Sequence, residues 1–144
     1  MLLLRRGWEK IDFLKKVPIF SNLNRRHMKE ILKHVDQVTV KAGTVLARQG
    51  NTGLEFVFIV EGKARVEKGG KVIGKIAAND FFGEISLIDG GRRTASIIAE
   101  TDMTLLIVHK RSFSLLLDTI PELQKGILLN LCKYLRRAEA DIIQ

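Results

Sequence analysis

Glu84 and Arg93 are the two side chains in this 144-residue chain whose types and spacing best suit recognition chemistry. They sit in two neighbouring stretches, Phe81-Phe82-Gly83-Glu84-Ile85-Ser86-Leu87 and Gly90-Gly91-Arg92-Arg93-Thr94-Ala95-Ser96. Together these supply a carboxylate, a glycine-relieved turn and a guanidinium beside a run of small residues. A phosphate ester that also carries a sugar hydroxyl needs that set. The carboxylate accepts a hydrogen bond from the hydroxyl, and the guanidinium forks onto phosphate oxygens. Backbone N–H groups around tight turns and at a short helix start complete an anion nest. Between Phe82 and Ile85, the Glu84 carboxylate is costly unless something polar meets it. A carboxylate in a helix first turn is the simpler role, but the nearby Arg93 favours binding. Arg92 is the better candidate for a plain solvent-facing arginine.

The elements around this segment are short. Asn24 can cap a helix whose Met28, Ile31, Leu32 and Val35 recur at helical spacing. An earlier helix is expected from Glu9 to Lys16, ended by Pro18. From Val38 the pattern changes to β-branched and aromatic runs, at Val38–Val40, Thr44–Ala47, Glu55–Val60, Ala64–Glu67 and Lys71–Ile76. Two more follow the Glu84/Arg93 segment, at Thr94–Ala99 and Met103–Val108. The breaks at Glu61-Gly62 and Lys68-Gly69-Gly70-Lys71 read as hairpin turns. Many short strands with glycine turns suggest a barrel or jelly roll. After Lys110 the pattern is helical again. Ser112 can cap Phe113 to Asp118, and Pro121 can open a long helix. Leu123, Ile127, Leu128, Leu131, Leu135, Ala138 and Ile142 read as its apolar stripe, with Cys132 facing the same core.

Composition narrows the function classes. A hydrophobic content of 46% with 28% charged residues describes an ordinary globular domain with one core. No apolar run reaches membrane-spanning length, and Met1-Leu2-Leu3-Leu4 ahead of Arg5-Arg6 has the wrong order for a secretory signal. A single cysteine, Cys132, excludes an internal disulfide and fits a reducing compartment, so a cytoplasmic location is expected. The net charge of +8 is spread over separated pairs such as Lys15/Lys16, Arg25/Arg26 and Arg136/Arg137, which reads as a mixed solvated surface. His27, His34 and His109 lie in different elements or at non-chelating spacing, so no metal is expected. No nucleophile–base pair of recognisable spacing is present, and the chain reads as a non-enzyme.

The Glu84/Arg93 segment resembles the phosphate-binding cassette of the cyclic nucleotide-binding domain family, found in kinase regulatory subunits, gated channels and bacterial catabolite regulators. The family's Phe-Gly-Glu stands at Phe82-Gly83-Glu84, its small or apolar residues at Ile85-Ser86-Leu87-Ile88, and its arginine step at Arg93-Thr94-Ala95. Upstream, Lys41-Ala42-Gly43-Thr44-Val45-Leu46 with Gln49-Gly50, and Phe58-Ile59-Val60-Glu61-Gly62, are similar to two further family signatures. Val17-Pro18-Ile19-Phe20-Ser21-Asn22-Leu23 resembles its opening motif. The likeness runs from Val17 to the C-terminus.

The resemblance implies an α+β fold. An eight-stranded antiparallel β jelly roll over 38–110, with the cassette at 81–96, would carry an N-terminal helical segment over 1–37 and C-terminal lid helices over 111–144. It implies cAMP or cGMP as ligand and no other cofactor. Gly83, Glu84, Ile85 and Ser86 would form the cassette, Arg93 would anchor the phosphate, and Thr94 and Ala95 would offer backbone N–H groups to the same oxygens. The Thr94 hydroxyl either reaches the base, as in members that accept cGMP, or simply reflects strand preference. Val66, Ile76 and Phe82 fall at the family's apolar contacts to base and ribose, where ordinary core packing is the plain alternative. Counting from Pro121 places Tyr134, Arg137 and Ala138 near the family's capping positions, as ring and cation over the purine.

The implied function is a sensor module that converts nucleotide occupancy into movement of its C-terminal helix, through contacts such as that of Leu87. The alternatives are a sensor fragment of a larger transcription regulator or ion channel, or a structural relative that binds no nucleotide. Relatives of the last kind usually lose the glutamate or the arginine, and both remain here. The chain shows no DNA-reading helix-turn-helix and no transmembrane segment, and its effector is left open. The apolar stripe of the last helix is compatible with a homodimer. A metal-dependent enzyme on a similar roll would need a ligand cluster, and the sequence has none.

Overall fold

The computed structural model describes residues 7–143, with side chains over 9–141. Helix α1 (Gly7–Leu14) leads into a single 3-10 turn over Pro18–Phe20 and helix α2 (Arg25–Leu32). Eight strands follow: β1 (Asp36–Val40), β2 (Val45–Ala47), β3 (Glu55–Glu61), β4 (Lys63–Lys68), β5 (Lys71–Ala77), β6 (Phe81–Phe82), β7 (Ser96–Ala99) and β8 (Met103–His109). A short helix α3 (Glu84–Asp89) separates β6 from β7, and α4 (Lys110–Thr119) and α5 (Pro121–Ile143) complete the described chain. The strands form two four-stranded antiparallel sheets, ordered β1-β8-β3-β6 and β2-β7-β4-β5. This is the expected antiparallel jelly roll with helices at both ends.

The interior explains why β3 and β8 read as continuous apolar runs rather than alternating ones. Both faces of their sheet are covered. Phe56, Phe58 and Val60, with Leu106 and Val108, face the helices and pack with Phe20, Met28, Phe113, Leu116 and Leu123. Val57 and Ile59, with Met103, Leu105 and Ile107, face the interior of the roll with Ala64 and Ile97. Phe56 is fully buried and meets the rings of Phe20, Phe81 and Phe113 at centroid distances of 5.7, 5.9 and 6.2 Å. Each such ring contributes ~1.5–3 kcal/mol by leaving water. That aromatic core ties α4 to the strand that borders the cavity described below.

Four local expectations need correction. Gly69-Gly70 makes the expected two-residue hairpin, with Lys68 opposite Lys71. Glu61-Gly62 does not, because β3 and β4 belong to different sheets and the chain turns a corner there. Strand β6 was not legible: two residues paired with Val57 and Phe58 are too short to show a period. Helix α4 begins at Lys110, so Ser112 lies inside it rather than capping it. On α5, Leu123 and Ile127 are buried and Leu131 partly so, but Leu128 and Leu135 remain 63% and 62% exposed. The packed face runs instead through Gly126 and Asn130, both buried, with Gly126 close against the Ile19 carbonyl. Cys132 is accordingly exposed, not core. Ile142 lies outside the described side chains.

Asn24 caps α2 as expected, its Oδ1 accepting a 2.8 Å bond from the His27 N–H. Asn24→Ala should therefore cost about 1 kcal/mol in urea denaturation. An unchanged midpoint would show that packing of Met28 and Ile31 alone holds the helix.

Candidate functional site

A cavity of about 430 Å³ opens between the second sheet, α3 and α5. Its apolar floor is strand-borne. Ala47 on β2, Val66 on β4, Ile76 on β5 and Ile97 on β7 turn inward, with Phe82 at the end of β6. Its polar wall is the segment that the sequence singled out: Gly83, Glu84, Ile85 and Ser86 on one side, Arg93, Thr94 and Ala95 on the other. Tyr134 closes the rim from α5.

The turn into α3 explains how a carboxylate comes to lie at this wall. Gly83 takes φ +106, which a side-chain-bearing residue rarely adopts, and a Cβ there would collide with the Glu55 carbonyl oxygen. The chain therefore swings from β6 straight into a helical turn, with Glu84 as its first residue. Glu84 is only 6% exposed. Burial pushes its carboxyl above the usual range; its own backbone N–H, the Tyr134 hydroxyl and the Arg93 charge pull the other way. Tyr134 donates to Glu84 Oε1 at 3.2 Å. The tyrosine hydroxyl is pushed up by burial and by the Glu84 charge.

Arg93 is set by main-chain contacts. Its N–H donates to Asn51 O at 2.8 Å, and its carbonyl accepts from Gly50 N at 2.8 Å. Its guanidinium donates through Nη2 to Glu55 O at 2.7 Å and lies over the Phe82 ring at 5.7 Å. Burial lowers its affinity for its proton, and the Glu55 and Glu84 carboxylates offset this. An arginine stays charged through such a shift. The arrangement holds a fixed planar cation and a partly desolvated carboxylate at one hollow with an apolar floor. It can take a small anion that carries both a sugar hydroxyl and an aromatic or apolar part.

Of the expected contact residues, Val66, Ile76, Phe82, Gly83, Glu84, Ile85, Ser86, Arg93, Thr94, Ala95 and Tyr134 all line this cavity. Arg137 and Ala138 do not. Both are exposed on α5 beyond Tyr134, although the Arg137 charge still favours ionisation of the Tyr134 hydroxyl. Arg92 is exposed as expected, yet it also lines the cavity and donates to Gly50 O at 3.0 Å. Sequence reasoning missed Ala47 and Ile97, for which inward strand alternation was the available signal, Phe81 on a strand too short to show one, and Asp89 and Gly91 at the rim. It also missed the Glu55 carbonyl, which no residue type announces. Among the described residues no group of three or more His, Cys, Asp or Glu is placed to hold a metal, and no helix is long and apolar enough to cross a membrane.

Known proteins resemble this chain in sequence and in fold. Residues 37–119 match the family described as cyclic nucleotide-binding domain. A cyclic nucleotide-gated potassium channel of Rhizobium etli is 33% identical over 122 residues, covering 85% of this chain and 33% of the channel. A cAMP-dependent protein kinase regulatory subunit of Schizosaccharomyces pombe is 34% identical over 116 residues, covering 80% of this chain and 28% of the subunit. The chain thus spans about a third of the length of these relatives. The crystal structure of the Thermus thermophilus catabolite activator protein superposes with a TM-score of 0.77 at 25% identity, over 88% of this chain and 62% of that one. Fold, cavity and similarity agree: this chain belongs to the cyclic nucleotide-binding domain family.

Proposed function

We propose that the cavity binds cAMP or cGMP and that occupancy is passed to α5, making the chain a sensor rather than a catalyst. The observation that carries the reading is the convergence of Glu84 and Arg93 on one hollow with an apolar floor. In this reading Arg93 takes the cyclic phosphate, with Thr94 and Ala95 presenting N–H groups beside it. Glu84 takes the ribose 2′-hydroxyl, and Val66, Ile76 and Phe82 meet base and sugar. Residues 38–110 act as the receiving roll and 111–144 as the responding lid. Isothermal titration with both nucleotides tests binding. The absence of heat with either one overturns the assignment.

Coupling to α5 has a physical carrier. The carboxylate offered to the ribose also accepts the Tyr134 hydroxyl, so ligand and helix meet on one group. Leu87, on the same short helix as Glu84, is buried in one core with Phe113, Leu116, Leu123 and Ile127 of α4 and α5. A ligand shifts α5 only by its differential affinity for the two positions. In a Cys132→Ser background, spin labels at the exposed positions Lys71 and Arg136 should report a changed distance distribution on saturation with cAMP. Tyr134→Phe should shift the ligand-free distribution in advance. Distributions that ignore both changes would leave binding in place and remove the coupling.

A further inference from the structure

We infer that Gly53 is a positioning residue for the phosphate anchor: its missing side chain is the slot in which the Arg93 guanidinium lies. The inference rests on the reading of the cavity as a nucleotide site and names a determinant that no motif of the segment contains. The stretch 51–55 grips Arg93 at both ends, with Asn51 O accepting from the Arg93 N–H and Glu55 O accepting from Nη2, each bond being 2.7–2.8 Å. Gly53 sits between the two grips and is buried. A Cβ built on it would stand 2.5 Å from the Ser86 Cβ, 2.8 Å from Arg93 Cζ and 2.9 Å from Arg93 Nε. The glycines of the surface turns, such as Gly50, Gly69 and Gly90, would meet nothing within 4 Å.

Backbone strain does not explain a glycine here. Gly53 is absent from the residues with positive φ, so an alanine could adopt the same backbone and only space forbids it. Two walls bound that space. The Ser86 Cβ is fixed to α3, while the guanidinium is the end of a flexible side chain. An added methyl must therefore both push against α3, its closest contact, and displace the arginine from Glu55 O. Since a fork onto phosphate depends on the angle of its plane, a displaced guanidinium loses recognition, beside whatever the push on α3 costs the fold.

The test uses the full chain and cAMP as the probe. Gly53→Ala should weaken binding about tenfold, yet weaken it less than about twofold when Arg93→Ala is already present, because the two changes act on one contact. The Arg93 Nε–H resonance of the ligand-free protein should move in Gly53→Ala. Ser86→Gly, which removes the other wall, should restore part of the lost affinity, and part of any lost folding. Equal losses in both Arg93 backgrounds would make Gly53 merely structural and overturn the inference, as would an unmoved resonance with unchanged affinity. If the parent chain takes up neither cAMP nor cGMP, the sensor reading fails on its own. The Arg93 resonance then still decides whether Gly53 sets that side chain.

Discussion

Arg93→Ala is expected to weaken cyclic nucleotide binding by ~2–5 kcal/mol, because a phosphate charge held in the cavity would be left without its partner. The guanidinium is already half-buried, and it is oriented by Glu55 O and the Phe82 ring. Part of its desolvation and ordering thus precedes the ligand, a condition that favours the contribution of a charged contact. Arg111→Ala, outside the cavity lining, is the control. Its side chain is exposed, so it should cost no more than the ~0–1 kcal/mol typical of solvent-screened charges. Titration calorimetry on both variants separates the roles. Equal effects, or none, would exclude Arg93 as the anchor. The fold should lose ~1.5–3 kcal/mol in Arg93→Ala, the worth of a charged group's bond to Glu55 O.

Glu84→Gln should part binding from stability. The amide keeps an oxygen for the Tyr134 hydroxyl but lacks the charge that strengthens a bond from a ribose hydroxyl. Affinity should fall by ~1.5–3 kcal/mol, the usual worth of a hydrogen bond to a charged group. The melting temperature of the ligand-free protein should not fall, since burial disfavours the ionised carboxylate. The pH dependence follows from the same shift. The native Glu84 holds its proton above the usual value of 4.5, so between that value and the raised one the folded state binds more protons than the unfolded chain. Stability from this group therefore falls as pH rises through the window, and the slope should vanish in Glu84→Gln. Nucleotide affinity should move the opposite way, rising with pH as the carboxylate ionises against Arg93 and Tyr134. A parent protein whose stability and affinity change together across that window would contradict this account of Glu84.

How much of this was legible in the chain depends on where each signal resides. The strands β3, β7 and β8 announce themselves as β-branched and aromatic runs, and Gly69-Gly70 as a hairpin, because local chemistry suffices for both. Gly62 looks like Gly69 in one dimension, yet one turns a corner between sheets and the other closes a hairpin; only strand partners separate them. The apolar residues of α5 cover more of its circumference than its partners can reach. Leu123 and Leu128 therefore look alike in sequence although one is buried and the other exposed.

Glu84 and Arg93 could be picked out from the amino acids alone, because a carboxylate in an apolar stretch and a guanidinium beside small residues are unusual local choices with few physical uses. The jelly roll follows from patterning, and the proposed ligand class from resemblance. The tertiary structure decided what has no side-chain signature: the carbonyl of Glu55 that aims the arginine, the space above Gly53, and the meeting of Tyr134 with Glu84 across 50 positions of chain. Main-chain oxygens are the same in every residue and a void belongs to none, so such features exist only once distant segments are brought into contact.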